Sequence, residues 1–317
     1  MDALGADFTI ACPAFPENKR TIFKGYLYAG DVLLNESGMQ NHPLTPMTDA
    51  NLVRVLQAQS KRKVGLIDYT AVAKGEAAIA KRIGELKAQG ISIAIVDALS
   101  DDDLHRLGPA LKDFALVTAG SGVAIGLPRN WGISFTPRAA QLPPAPGHAA
   151  VVSGSCSTAT LGQVKAFRDA GGAALGLDAM KLTDGGDSTR AAIAWAEREL
   201  PRGPVLVYST AEPAAVRAVQ ERLGVEAAGA LVERALAGIA RGLVERGVRR
   251  LVVAGGETSG AVVQALGVER LRIGPQIDPG VPWCAAHSPA AGGTIHLALK
   301  SGNFGTPDFF TKAFSHG

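Results

Sequence analysis

The sequence predicts an α/β protein of two domains, each a mainly parallel sheet flanked by helices, with the N-terminal one incomplete. Three observations lead there. From Lys63 onward short apolar runs alternate with helical patterns, a proline-rich segment interrupts them once, and the alternation then resumes towards the C-terminus. Such alternation implies parallel strands joined by right-handed crossovers. A length of 317 residues accommodates two domains of about 100–200 residues each.

Asp7 to Pro16 reads as a buried strand followed by a rigid loop, only a few residues from Met1. Domains seldom begin so abruptly, so an earlier part is expected to be missing. Thr21 to Asn35 alternates apolar and polar residues around Gly30-Asp31, the pattern of a hairpin laid on a core. Strands follow at Val64–Asp68, Ile91–Ala98 and Ala115–Thr118, with helices to about Gly90, near Asp101–Leu111 and from Gly120-Ser121-Gly122. Ser134 to Gly147 holds Pro137, Pro143, Pro144 and Pro146 and has little apolar periodicity, as a semi-rigid connector would. The domains are therefore placed at 1–133 and 149–317, with 134–148 as linker.

In the second domain, strands are expected at Ala150–Ser153, Ala173–Leu177, Val205–Ser209 and Arg250–Ala254, and at Leu271–Ile273, Cys284–Ala286 and Thr294–Ser301 towards the end. Helices are expected from Thr158, over Ser188–Leu200, in two stretches across 213–246, over 257–267 and from Thr306. The C-terminal edge of this sheet should be mixed.

Composition narrows the function. Apolar residues make up 47% and charged residues 19% of the chain, which suits a globular protein. Lys and Arg number 32 against 29 Asp and Glu, a net +3 with no dense basic block, so the footprint of a nucleic-acid binder is absent. No run approaches the roughly 18 apolar residues of a membrane span, and Asp2 and Asp7 stand where a signal peptide would carry basic charge. Cys12, Cys156 and Cys284 are odd in number and far apart, which argues against a disulfide framework and favours a cytoplasmic location. None of His42, His105, His148, His287, His296 and His316 forms a metal pair, and no Gly-x-Ser-x-Gly elbow supports a hydrolase.

Three glycine-rich loops of the second domain each follow a strand, where open α/β sheets bind ligands. The first, Ser153-Gly154-Ser155-Cys156-Ser157-Thr158, offers hydroxyls and backbone N–H groups at a helix start, suited to phosphate or equally to plain capping. In the second, Ala254-Gly255-Gly256-Glu257-Thr258-Ser259-Gly260, adjacent glycines allow close backbone approach, while Glu257 is either a helix-start charge or a contact to ribose or magnesium. It is neither a Walker sequence nor a dinucleotide fingerprint. The third, Lys300-Ser301-Gly302-Asn303-Phe304-Gly305, is either a phosphate-facing cation beside a turn or a tight turn with Lys300 solvated.

In the first domain Thr118-Ala119-Gly120-Ser121-Gly122 also ends a strand, and Asp68 and Asp97 could each hold a sugar hydroxyl or merely cap a turn. Arg20 could grip a carboxylate bidentately and Asn18 a hydroxyl. Asp278, in a proline-shaped segment, is a further candidate acid or a structural turn residue.

Together with CPAFPENKRT (Cys12–Thr21), His42 to Met47, Ile95 to Ala98, TAGSG (Thr118–Gly122), VVSGSCS (Val151–Ser157), VVAGGETSG (Val252–Gly260), IGPQIDPGVPW (Ile273–Trp283) and LALKSGNFG (Leu297–Gly305), these loops resemble the four-carbon acid sugar kinase family nearly end to end. The resemblance implies transfer of the γ-phosphate of ATP, with Mg2+, to the terminal hydroxyl of a small-molecule acid sugar such as a 3-oxo-tetronate. It places the nucleotide on Ser155, Gly255, Gly256, Glu257, Thr258 and Gly302, and the acid sugar on the N-terminal domain, where Asn18, Arg20 and Asp97 are the candidates. No residue stands out as the catalytic base. A homo-oligomer is compatible with the sequence.

One departure is expected to matter. The family begins with a strand ending in Asp-Asp-x-Thr-Gly and about 100 residues of domain ahead of the CPAFP segment, neither of which this chain shows. On that basis ATP binding survives while turnover is lost in the chain as it stands. The alternative is a non-catalytic nucleotide-binding or regulatory protein derived from such a kinase, and a dinucleotide-dependent oxidoreductase shares the fold class but not the fingerprint.

Overall fold

In a computed structural model the chain divides into two compact units, Met1–Phe135 and Thr136–Gly317. The structure describes residues 1–41, 45–184, 187–211 and 213–315. His42, Pro43 and Leu44 of the His42–Met47 motif, and His316, lie outside them.

The first unit runs β1 (Thr9–Cys12), β2 (Arg20–Phe23), β3 (Tyr26–Ala29), β4 (Val32–Leu33), α1 (Leu52–Gln59), β5 (Val64–Ile67), α2 (Tyr69–Val72), α3 (Glu76–Ala88), β6 (Ile93–Val96), α4 (Asp101–Ala110) and β7 (Thr118–Ala119). Its main sheet has the order β5-β6-β1-β7, and every pairing in it is parallel. Ile10, Cys12, Ile67, Ala94 and Val96 are buried with Ile79, Ile83 and Leu86 of α3 and Leu104 and Leu107 of α4. The region from Gly120, expected to open a helix, forms a five-residue 3-10 helix at Ser121–Ile125. Its tightness follows from close packing: a Cβ at Gly122 would overlap the Ala14 carbonyl oxygen and come 3.1 Å from Phe15 Cα.

β2, β3 and β4 make a separate antiparallel sheet. Its first turn, at Lys24-Gly25, is one that the sequence reading passed over in favour of Gly30-Asp31. Both turn residues have positive φ, 53° and 78°, the geometry of a two-residue type I′ turn. Lysine is an unfavourable residue there, because its Cβ crowds the backbone in the left-handed region. Lys24→Asn should therefore raise the stability of this unit by about 0.5–1 kcal/mol, read as a small rise in Tm. The exposed Lys24–Asp68 pair, 2.7 Å long, is worth too little to reverse the sign. A fall in Tm would contradict this.

The second unit runs β8 (His148–Ser153), α5 (Thr158–Asp169), β9 (Ala173–Gly176), α6 (Asp187–Glu199), β10 (Val205–Tyr208), α7 (Pro213–Leu223), α8 (Val225–Glu245), β11 (Val248–Ala254), α9 (Gly256–Ala265), β12 (Arg272–Asp278), β13 (Val281–Ser288), β14 (Gly293–Lys300) and α10 (Phe309–Lys312). The seven strands form one sheet of order β12-β13-β14-β11-β8-β10-β9. β14, β11, β8, β10 and β9 are mutually parallel, and β12 and β13 add the mixed edge.

Strand residues alternate between two buried faces. Ala150, Val152, Val205, Val207, Leu251 and Val253 pack with Leu236, Ile239 and Leu243 of α8. Val151, Leu206 and Val252 pack with Phe167 of α5 and Phe309 and Phe310 of α10. Strands covered on both faces read as continuous apolar runs, and VVS, VLVY and LVVA are such runs.

Candidate functional site

The second unit places its three glycine-rich loops side by side. β14, β11 and β8 are neighbours, and their last residues are in register: Ala254 is paired with Lys300 on one side and with Ser153 on the other. The loops are also tied together at their roots. Gly154 N donates to Ala254 O at 2.9 Å and Gly255 N to Lys300 O at 2.9 Å. Side chains then close the gap: the Gly302 carbonyl oxygen lies 2.6 Å from Ser157 Oγ and 2.8 Å from Thr160 Oγ1.

The glycines are where close approach requires them. Gly255 sits at φ 122°, ψ 138°, a region essentially confined to glycine. A Cβ on it would come 3.0 Å from Thr258 Oγ1 and 3.3 Å from Ser155 N. At Gly302 a Cβ would come 2.5 Å from Ser155 Oγ and 3.2 Å from Ser157 Oγ. Gly256, by contrast, faces open space.

Two loops start helices differently. Ser157 accepts from Thr160 N at 3.2 Å and caps α5, so for this residue the plain capping role is realised. α9 has no side-chain cap, and Ser259 Oγ instead donates to Gly255 O at 2.6 Å. The first N–H groups of a helix have no intrahelical partner; here those of Gly256, Glu257 and Thr258 bond to no described residue. They constitute an uncapped, electropositive helix start.

The predicted nucleotide residues thus fall into two groups. Ser155, Gly255, Gly256, Glu257 and Gly302 are brought together at one end of the sheet. Thr258 is there too, but its side chain is buried beneath Gly154 and Gly255, so what it can offer a ligand is its N–H. Sequence reading missed two further groups. Thr210 Oγ1 lies 2.8 Å from Ser153 Oγ, and Ser209 Oγ is buried with no partner among the described residues. Both follow β10, the next parallel neighbour of β8, and that position was the available signal.

Lys300 is not solvated. It is fully buried, and its Nζ lies 3.0 Å from Thr160 Oγ1, 3.2 Å from Ser301 O, 2.9 Å from Gly302 O and 3.2 Å from Phe304 O. Burial alone pushes its ammonium down to about 7. Asp278 is buried as well and accepts from Thr306 N at 2.7 Å, from Thr306 Oγ1 at 2.9 Å and from Lys312 Nζ. Its burial raises the carboxyl, but those donors outweigh it and hold the pKa below the ordinary value. Asp278 therefore anchors the segment after Gly305 and is not presented to a ligand.

In the first unit the strand ends carry Asp68, Asp97, the loop after Cys12 and Gly120-Ser121-Gly122. The loop after Cys12 turns through a 3-10 helix at Pro16–Asn18 and Lys19 at φ 55°, and Lys19 O accepts from Gly30 N at 2.8 Å. Arg20 is half-buried, its side chain has no ion pair or hydrogen bond among the described residues, and burial draws its guanidinium below the ordinary value. Asn18 Nδ2 is buried and also lacks a partner. Two unpartnered donors two residues apart suit an anionic, hydroxyl-bearing ligand.

Asp97 does not. It is fully buried, and its carboxylate accepts from Lys24 N at 2.7 Å, Gly25 N at 2.8 Å and Tyr69 N at 2.9 Å. The expectation that Asp97 holds a sugar hydroxyl is corrected accordingly: its oxygens pin the type I′ turn and the start of α2. Burial raises its pKa despite these donors. Asp68 is partly exposed and caps α2; Lys24 and Thr70 hold its carboxyl at about 2.

Comparison with known proteins agrees with this division. A family model described as a nucleotide-binding C-terminal domain matches residues 150–310, and one described as a sugar-binding N-terminal domain matches residues 1–127. Proteins named 3-oxo-tetronate kinase from Burkholderia multivorans and Pseudomonas fluorescens are 57% and 55% identical, over 99% of this chain and 73% and 72% of theirs. The chain belongs to the 3-oxo-tetronate kinase family. Among solved structures, a Salmonella typhimurium LT2 protein is 38% identical with a TM-score of 0.76, covering 99% of this chain and 74% of that one. A Haemophilus influenzae protein of the DUF1537 family is 43% identical with a TM-score of 0.65, covering 99% of this chain and 75% of that one.

Members of the 3-oxo-tetronate kinase family are ATP-dependent sugar kinases, so the chain is an enzyme of that class. The expectation of a chain lacking the family's N-terminal segment is corrected at the level of domains, since the sugar-binding family model matches from residue 1 to residue 127. Nothing in these comparisons favours a non-catalytic derivative. No helix among the described residues is long and apolar enough to cross a membrane.

Proposed function

We propose that the chain phosphorylates the terminal hydroxyl of a four-carbon acid sugar, a 3-oxo-tetronate, at the expense of ATP. The observation that carries this reading is the convergence of the loops around Ser155, Gly256 and Gly302 at the ends of three adjacent parallel strands. Phosphoryl transfer asks the protein for positioning and charge neutralisation more than for covalent chemistry. The N–H groups of Gly256, Glu257 and Thr258 and the turn at Gly302 supply donors to phosphate, and the Ser155 hydroxyl lies between them. In the other unit Arg20 receives the carboxylate of the acid sugar and Asn18 a hydroxyl or the keto oxygen.

Mg2+ fits this donor set. Magnesium bound to a nucleotide is held mainly by phosphate oxygens and water, with one or two protein carboxylates. Glu257, exposed in the first turn of α9, is the carboxylate placed to serve. When bound, the ion neutralises charge on the phosphates.

The test is ADP formation from ATP across a panel of four-carbon acids, measured in a coupled assay. Turnover with a 3-oxo-tetronate, and a rise in KM for that acid in Arg20→Lys, are expected. Absence of turnover with every acid of the panel would overturn the assignment.

A further inference from the structure

The loop between β14 and α10 is held in an unusual way. Lys300 Nζ reaches the carbonyl oxygens of Ser301, Gly302 and Phe304. From the other side Gln163 Nε2 donates to those of Phe304, Gly305 and Thr306 at 3.0, 3.1 and 3.0 Å. Five carbonyls of one short loop are therefore turned towards two buried side chains. A loop whose carbonyls point inward presents its N–H groups outward, and those of Gly302 and Gly305 have no partner among the described residues. Concave sets of backbone N–H groups are anion sites.

The two side chains differ in one respect. Gln163 is a neutral donor, whereas Lys300 is a buried cation whose ammonium, among the described residues, contacts Thr160 Oγ1 and carbonyl oxygens. The ionisable groups of the elements around it are Lys165, Arg168 and Asp169 on α5, Arg249 and Arg250 on β11, Cys284 and His287 on β13, His296 on its own strand, Glu257 on α9, and Asp278, Lys312 and Asp308 around β12 and α10. Asp278 is engaged by Lys312, and none of these groups contacts Lys300 among the described residues.

We propose that Lys300 is a positioning residue of the nucleotide site, which shapes the Gly302 loop through its carbonyls and takes up a proton when phosphate binds. This rests on the assignment of that loop to phosphate. The linkage follows from electrostatics: a buried ammonium without a carboxylate partner is disfavoured, and a polyphosphate on the far side of the loop restores it. Burial holds the Lys300 ammonium down to about 7, so the arrival of phosphate charge beside the loop favours its protonated form.

The sign for stability is the opposite one. A lysine whose folded pKa lies below its unfolded value of 10.5 leaves the unfolded chain binding more protons between about 7 and 10.5, so its contribution to stability rises with pH across that window.

The experiment is calorimetry of ADP binding to the full chain at pH 8, in Tris and in HEPES, whose ionisation heats differ. Uptake of a substantial fraction of a proton is expected for the parent protein, together with ADP affinity that falls several-fold from pH 7 to pH 9. Lys300→Met should bind ADP at least tenfold more weakly and without that uptake. Gln163→Leu should weaken binding but keep the uptake. If the parent binds ADP with no proton uptake and flat affinity between pH 7 and 9, Lys300 does not act in this way, even where Lys300→Met fails to fold. If the parent binds no nucleotide at all, the underlying assignment of the unit fails instead.

Discussion

Gly255→Ala is expected to weaken ATP binding by about ten- to a hundredfold. Alanine at φ 122°, ψ 138° costs roughly 1–3 kcal/mol, and its methyl would crowd Ser155 N and Thr258 Oγ1. The chain can relieve that strain only by rotating the peptide that opens α9, which swings the N–H groups of Gly256 and Glu257 away from their common direction. Since 1.4 kcal/mol is a factor of ten in affinity, the strain alone accounts for the expected loss. Titration of ATP by calorimetry reads it directly. Gly260→Ala is the control: it lies one turn further along α9 and faces open space, so binding within about threefold of the parent is expected there, and equal losses in both variants would contradict the strain argument.

Gly122→Ala should have its effect in the other unit. The added methyl would overlap a carbonyl oxygen of the loop that carries Asn18 and Arg20 and approach Phe15 Cα. Backbone cannot step aside as a rotamer can, and overpacking of this kind costs about 1–3 kcal/mol or more. The expected outcome is a lowered first thermal transition and a KM for the acid sugar raised at least tenfold, with the ATP Kd unchanged. A variant with ordinary acid-sugar KM would show that the loop after Cys12 does not hold the substrate.

The nucleotide unit was legible because its signals are local. Each parallel strand is a continuous apolar run, each ends in small flexible residues, and a helical pattern follows, so the loops at Ser155, Gly256 and Gly302 could be placed at strand ends from spacing alone. What spacing does not encode is the direction of a side chain. Lys300 reads as a solvated cation beside a turn, and it folds under that turn because five loop carbonyls and Thr160 receive it and Gln163.

Asp97 failed for a related reason. An aspartate at a strand end is equally good as a ligand group or as an acceptor for backbone donors, and the deciding partners, Lys24 and Gly25, lie 73 and 72 residues away. The turn at Lys24-Gly25 was itself hidden, since lysine carries no turn signal and is held at positive φ by that same carboxylate. The segment from Gly274 to Trp283 reads equally well as a proline-shaped turn, yet most of it forms the β12–β13 hairpin. Pro275 is tolerated because β12 is an edge strand, where a missing N–H need not interrupt a ladder.

The cradle itself is best tested by a crystal structure with a non-hydrolysable ATP analogue. Phosphate oxygens within hydrogen-bonding distance of the N–H groups of Gly256, Glu257 and Gly302, with Ser155 Oγ in contact, are expected. A fully occupied analogue whose phosphates touch none of the three loops would refute the account.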